Sequence, residues 1–161
     1  MSCTITSASP ETTRQLGQKL GALLQPGDLV CLQGDLGAGK TTFVQGIAAG
    51  WGTRDEVSSP TFVLVNIYRG APVVEPVETN DERLFHLDTY RIESDAEAEE
   101  LDLDSMLVQG PLLIEWPERV KAVLPIENLW VTLDYLDENG RQLAFTATGA
   151  RHQQLLEQLF A

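Results

Sequence analysis

The chain has 161 residues, 43% of them hydrophobic, which is enough apolar material for one domain to bury a core without disulfide or metal staples. A formal charge of −13, with only Lys19, Lys40 and Lys121 as lysines, opposes direct, strong binding to a nucleic-acid backbone; a role in nucleic-acid chemistry has to pass through a partner. Two cysteines, Cys3 and Cys31, are too few for a disulfide framework or a zinc cluster, and neither a basic leader nor an apolar run of roughly 18 residues is present, so a cytoplasmic protein is expected.

Ser9-Pro10-Glu11 predicts a helix start, with Ser9 as cap, proline in the first turn, and Leu16, Leu20, Leu23 and Leu24 as one apolar stripe. Asp28 to Gln33 is a short apolar run of the kind a buried parallel strand shows, punctuated at its start by Gly27. Gly34-Asp35-Leu36-Gly37-Ala38-Gly39-Lys40-Thr41 then spells G-x-x-x-x-G-K-[ST] in full, and Thr42 adds a second hydroxyl. Glycines at these positions let successive backbone N–H groups turn inward around polyphosphate oxygens, and the following helix adds its positive end. Phe43, Val44, Ile47 and Ala48 recur at helical spacing until Gly50 and Gly52 stop the pattern. Strand, loop and helix are the context the pattern requires.

Thr61 to Tyr68 is rich in β-branched and aromatic residues, Leu84-Phe85-His86-Leu87 is a second short, mostly apolar run, and the two predict paired strands. The connection carries Gly70, Pro72 and Pro76, which predicts a peripheral, mobile loop. Ser94 with Glu97 forms a capping box that opens an acidic helix running to about Gln109-Gly110, its charge either a solvated face or a dock for a basic partner. Pro111 to Pro117 predicts a strand that delivers Glu115 at its C-terminal end. Trp130 to Tyr135 and Arg141 to Thr146 flank Asn139-Gly140, a hairpin signal, and a short helix with Leu155, Leu156 and Leu159 closes the chain, with His152 on its surface. Together these predict a single α/β domain over residues 1–161, of the P-loop NTPase type, with a mixed sheet whose core is parallel and whose hairpins are antiparallel, flanked by helices.

Phosphoryl transfer asks the protein to hold the γ-phosphate, neutralise its charge and align a nucleophile. Lys40 and a Mg²⁺ on the Thr41 hydroxyl supply the first two, and Glu115, at the end of its strand, is the candidate second acidic group for magnesium, directly or through a water, or else an ordinary exposed strand-end glutamate. Asp88 ends its own strand in the same way and is the candidate to orient or deprotonate water, while Thr61 is a candidate γ-phosphate sensor or an ordinary turn residue. His86 and Trp116 read as residues of the core or its border, and not as catalysts.

Four segments carry a resemblance to a known family: Gly34 to Phe43, Ser59-Pro60-Thr61-Phe62, His86-Leu87-Asp88-Thr89-Tyr90-Arg91 and Ile114-Glu115-Trp116-Pro117 occur in the order and spacing of TsaE, formerly YjeE. The resemblance runs through essentially the whole chain. It implies ATP on Leu36, Gly37, Ala38, Gly39, Lys40, Thr41 and Thr42, Mg²⁺ on Thr41 and Glu115, Asp88 as an active-site carboxylate, and weak ATP hydrolysis in support of a TsaB–TsaD complex that makes threonylcarbamoyladenosine in tRNA. It also implies that residues around Ser9 to Thr12 and Arg141 approach the nucleotide, and it makes tRNA an indirect partner only. Two readings from other classes stand beside it: a small-molecule kinase, against which the lack of an arginine-bearing lid speaks, and a nucleotide sensor that binds without hydrolysis. GTP specificity is disfavoured, since none of the three lysines sits in an Asn-Lys-x-Asp setting.

Overall fold

The computed structural model describes residues 1–57, 65–70 and 82–161. In chain order its elements are β1 (Ser2–Ser7), α1 (Pro10–Leu23), β2 (Leu29–Gln33), α2 (Lys40–Trp51), β3 (Val65–Arg69), β4 (Arg83–Asp88), α3 (Asp95–Glu99), α4 (Leu103–Gln109), β5 (Leu112–Glu115), a 3₁₀ turn (Pro117–Val120), β6 (Leu129–Tyr135), β7 (Arg141–Ala147) and α5 (Ala150–Leu159). The strands form one sheet in the order β1-β7-β6-β2-β5-β4-β3. β2 pairs in parallel with both β5 and β6, β4 pairs in parallel with β5, and the β3–β4, β6–β7 and β1–β7 ladders are antiparallel.

Strand composition follows from this layering. β2 and β5 are covered on both faces and read as continuous apolar runs, whereas β6 alternates buried and part-exposed residues over Leu129 to Leu133. Val30, Leu32, Leu84 and Leu113 point to the face covered by α1, α2 and α5, and Leu29, Cys31, Phe85, Leu87, Leu112 and Ile114 point to the other, against α3, α4 and the 3₁₀ turn. The chain enters the central strand β2 from β1 at one edge of the sheet and leaves it through α2 for β3 at the other, so the crevice beyond its C-terminal end is where such folds place a ligand.

α1 and α2 pack backbone to backbone. A Cβ placed on Gly46 would lie 2.1 Å from the Arg14 carbonyl oxygen, and one on Gly21 would lie 1.9 Å from that of Ile47. This contact seats the helix that follows the phosphate loop. Gly50 belongs to the same close approach, within α2, and does not end it; the left-handed Gly52 (φ 110°) is the terminator.

β1 was not foreseen, because Ser2–Ser7 is a half-exposed edge strand whose apolar positions, Cys3 and Ile5, are too few to stand out. The acidic helix is two helices, α3 and α4, separated where Asp102 takes a left-handed backbone (φ 51°). The tail histidine, His152, is buried and not on the surface: its Nε2 accepts the Leu29 N–H at 3.0 Å. Next to it the Arg151 guanidinium donates to both carboxylate oxygens of buried Asp28, at 2.9 and 2.7 Å, tying α5 to the start of β2. Among the described residues no helix is long and apolar enough to cross a membrane.

Candidate nucleotide site

The pleat decides which side chains meet the phosphate loop. Along β4, Leu84 lies on the α2 face, so His86 and Asp88 do too; along β5, Leu113 does, and therefore Glu115. Asp88 is directly opposite Glu115 in the β4–β5 ladder, which sets two carboxylates side by side at the C-terminal edge. α2 begins on that same face with Lys40. An open cavity of about 270 Å³ results, bounded by the phosphate loop, Asp88, Glu115, Trp116 and Arg141.

On the loop side, Gly37 (φ 83°) and Gly39 (φ 97°) hold left-handed conformations that no β-carbon-bearing residue adopts at low cost. Gly39 is the N-cap of α2 and has no side chain to accept from the first turn, so the N–H groups at the helix start face the cavity without a capping oxygen. That is the arrangement of an anion site. On the opposite wall, Arg141 donates through Nη2 to the Gly37 carbonyl at 3.1 Å and through Nη1 to the Asp137 and Gly140 carbonyls at 2.8 and 2.7 Å. Its Nε is buried without a hydrogen-bond partner among the described residues.

Lys40 is buried, with 6% of its surface exposed; its Nζ donates to the Gly34 carbonyl and sits 4.0 Å from the centre of the Trp116 ring. Burial lowers its pKa, and the nearby carboxylates of Glu115, Asp88, Glu118 and Asp35 work in the opposite sense. Trp116 reaches this position from a left-handed backbone (φ 59°) immediately after β5. Buried Thr89 holds that turn in place: its hydroxyl lies 2.9 Å from the Glu115 carbonyl and 2.6 Å from that of Trp116, and its N–H donates to Glu115 at 3.1 Å. Tyr90 stacks at an angle on Trp116, with ring centres 4.9 Å apart.

The two carboxylates differ. Asp88 is half-buried and accepts the Tyr90 N–H at 2.9 Å; desolvation raises its pKa most, the Tyr90 hydrogen bond lowers it, and the neighbouring Glu115 charge raises it. Glu115 is buried and meets His86, whose Nε2 lies 2.8 Å from its Oε2. Among the described residues no group of three or more His, Cys, Asp or Glu could hold a metal by itself. One or two carboxylates and a hydroxyl are what a magnesium ion takes from protein when phosphates and waters complete its shell, so Thr41 and Glu115, with Asp88 beside them, fit a magnesium–nucleotide complex better than a free ion.

The family model described as "Threonylcarbamoyl adenosine biosynthesis protein TsaE" matches residues 7–143. This chain belongs to the TsaE family. It is similar to the Bacillus subtilis tRNA threonylcarbamoyladenosine biosynthesis protein TsaE, 38% identical over 154 residues that span 95% of this chain and 90% of the relative. A Streptomyces coelicolor protein of the same description is 38% identical over 140 residues, 86% of each chain. The fold matches the crystal structure of Bacillus subtilis YdiB at a TM-score of 0.78 and 31% identity, covering 99% of this chain and 95% of that one.

Within this TsaE chain, the residues singled out from sequence mostly converge. Leu36, Gly37, Gly39, Lys40, Thr41 and Thr42 line one side of the cavity. Asp88, Glu115 and Arg141 line the other. Ala38 is buried behind the loop, where its N–H donates to the Asp35 carbonyl at 3.0 Å, and Ser9 to Thr12 form the capped start of α1 instead of a wall of the cavity. Thr61 and most of the connection between β3 and β4 lie outside the described residues. Sequence reading missed the contacts that support the site: Thr89 on the Trp116 turn, Trp116 over Lys40, and the histidine behind Glu115. The period-two spacing Leu84-His86-Asp88 was the available signal for the last, because it puts His86 on the face of Asp88.

Proposed function

We propose that this chain is a magnesium-dependent ATPase that supports threonylcarbamoyladenosine modification of tRNA in the cytoplasm, acting with a TsaB–TsaD complex and meeting tRNA only through it. The observation that carries the reading is the convergence on one cavity of an uncapped helix start, a buried lysine, two adjacent strand-end carboxylates and an arginine. Lys40 and the amides of Gly37 to Thr42 would hold the β- and γ-phosphates. The Thr41 hydroxyl and the Glu115 carboxylate would hold Mg²⁺, which when bound neutralises charge on the transferring phosphoryl oxygens.

Asp88 would position the attacking water or accept its proton; a carboxylate whose pKa is raised by burial is suited to that task. The Arg141 guanidinium, already against the loop, would take phosphate oxygens in place of the Gly37 carbonyl. The partner complex would raise a weak intrinsic turnover, because Arg141 and Lys40 are each engaged with loop carbonyls in the free chain. Phosphate release from Mg-ATP, followed with and without TsaB and TsaD, tests the reading. Slow turnover accelerated by the pair and abolished by Lys40→Ala is expected; turnover indifferent to both proteins but driven by a metabolite would replace it with a kinase.

A further inference from the structure

Behind Glu115 runs a line of hydrogen bonds that the phosphate loop does not explain. Tyr68 on β3 stands opposite Leu84, His86 on β4 stands opposite Leu113, and each polar side chain reaches diagonally forward to the next strand. The Tyr68 hydroxyl lies 2.9 Å from His86 Nδ1, and His86 Nε2 lies 2.8 Å from Glu115 Oε2. Asn66 Nδ2 donates to the Tyr68 hydroxyl at 3.4 Å. Tyr68, His86 and Glu115 are all nearly without exposure, at 3%, 1% and 3%.

Beside an ionised carboxylate, the donor and acceptor roles along this line allow one assignment for a neutral imidazole. The phenol accepts from the Asn66 amide and donates its own proton to Nδ1, which leaves Nε2–H to donate to the ionised Glu115 carboxylate. A buried carboxylate free to rotate would lose the orientation a divalent ion demands; the imidazole removes that freedom from one oxygen and leaves the other for the ion.

We infer that His86, itself oriented by Tyr68, is a positioning residue that fixes the Glu115 carboxylate for magnesium. This rests on the proposed reading of the cavity as a magnesium–nucleotide site. His86 is not among the residues that line the cavity and acts only through Glu115.

The chain contains two histidines, and the geometry gives them opposite tautomers: Nε2–H for His86, and Nδ1–H for His152, whose Nε2 accepts the Leu29 N–H. Long-range ¹H–¹⁵N correlation spectra of the nucleotide-free protein read both directly and do not depend on activity. Calorimetric titration of Mg²⁺ into the ADP-loaded protein then supplies the functional arm. His86→Ala is expected to raise the apparent magnesium dissociation constant about 10- to 100-fold, the range seen when an outer partner of a metal ligand is removed. Tyr68→Phe should move it the same way by a smaller factor, and His86→Gln, which keeps an N–H donor, should restore most of it.

A His86 found as Nδ1–H, or a folded His86→Ala variant whose magnesium constant is within twofold of the parent, overturns the inference. If His86→Ala does not fold, the tautomer of the parent and the Tyr68→Phe titration decide the question alone. A parent that takes up no magnesium with ADP overturns the magnesium role together with the proposed function, whereas the tautomer spectrum judges the hydrogen-bond line separately.

Discussion

Replacing Lys40 with methionine should separate stability from binding. Lys40 is 6% exposed, and its ammonium is held by a carbonyl and an aromatic face. Those contacts are worth about 1.5–3 kcal/mol for the charged hydrogen bond and about 1–2 kcal/mol for the ring. Against them stands a desolvation cost of several kcal/mol for a buried ion. The depressed pKa says which side wins. An amine whose native pKa lies below its unfolded value of 10.5 binds its proton less tightly when folded, so at neutral pH its charge subtracts from stability, and the deficit fades as pH rises towards 10.5.

Lys40→Met keeps the volume and removes the charge, so the nucleotide-free protein should be as stable as the parent or up to about 2 kcal/mol more stable, the sense commonly found when a buried ion gives way to an apolar group of similar size. In a chain of this length that corresponds to a rise in Tm of at most about 8 °C. The same change deletes two or more charge-assisted contacts to phosphate, about 3–6 kcal/mol together, or a loss of roughly 10²- to 10⁴-fold in Mg-ATP affinity. Urea unfolding without nucleotide, paired with calorimetric titration of Mg-ATP, measures both. A variant destabilised by more than about 2 kcal/mol, or one that binds Mg-ATP like the parent, would refute the reasoning.

Asp88→Asn and Glu115→Gln should each lower turnover at least about tenfold while changing ATP affinity less, as single-turnover phosphate release and equilibrium binding would show; equal turnover in the Asp88 variant would remove it from the chemistry. Gly46→Ala forces a β-carbon to within 2.1 Å of the Arg14 carbonyl oxygen, a clash whose cost exceeds the roughly 1 kcal/mol that alanine contributes to a helix; urea denaturation should show a net loss of about 2 kcal/mol or more. Burial, with the adjacent Arg151 charge, depresses the pKa of His152 from 6.5 although Asp28 and Glu127 oppose it, and protonation would cost the Leu29 hydrogen bond. Between that lowered native pKa and 6.5 the unfolded chain binds the extra proton, so unfolding free energy should rise with pH across this window by at most about 1.4 kcal/mol per unit, a slope that His152→Gln removes.

The phosphate loop was legible because its chemistry is local: glycines, lysine and hydroxyl act within eight residues of backbone. Glu115 and Asp88 were legible one step further, since an apolar run followed by a carboxylate marks a strand end even before the strand's neighbours are known. What sequence could not provide was register. That Asp88 sits opposite Glu115, or that Tyr68 reaches His86, depends on pairings between strands far apart in the chain.

Backbone exceptions were equally hidden. Asp102 and Trp116 hold left-handed conformations that propensity assigns to glycine, one dividing the acidic helix and the other turning an indole over Lys40. His152 misled for another reason: a polar residue in an amphipathic helix reads as solvated unless the backbone donor it serves, here on β2, is already known.

Residue-resolved ¹H–¹⁵N spectra of the amide-labelled protein, recorded as Mg-ATP is added, test the assignment of the cavity most directly. Saturable shifts centred on Gly37 to Thr42 and extending to Asp88, Glu115 and Arg141, and lost when magnesium is chelated, are expected. Shifts absent at millimolar nucleotide, or centred instead on the cavity at the other end of the sheet beside Pro26, Trp51 and Pro111, would contradict it.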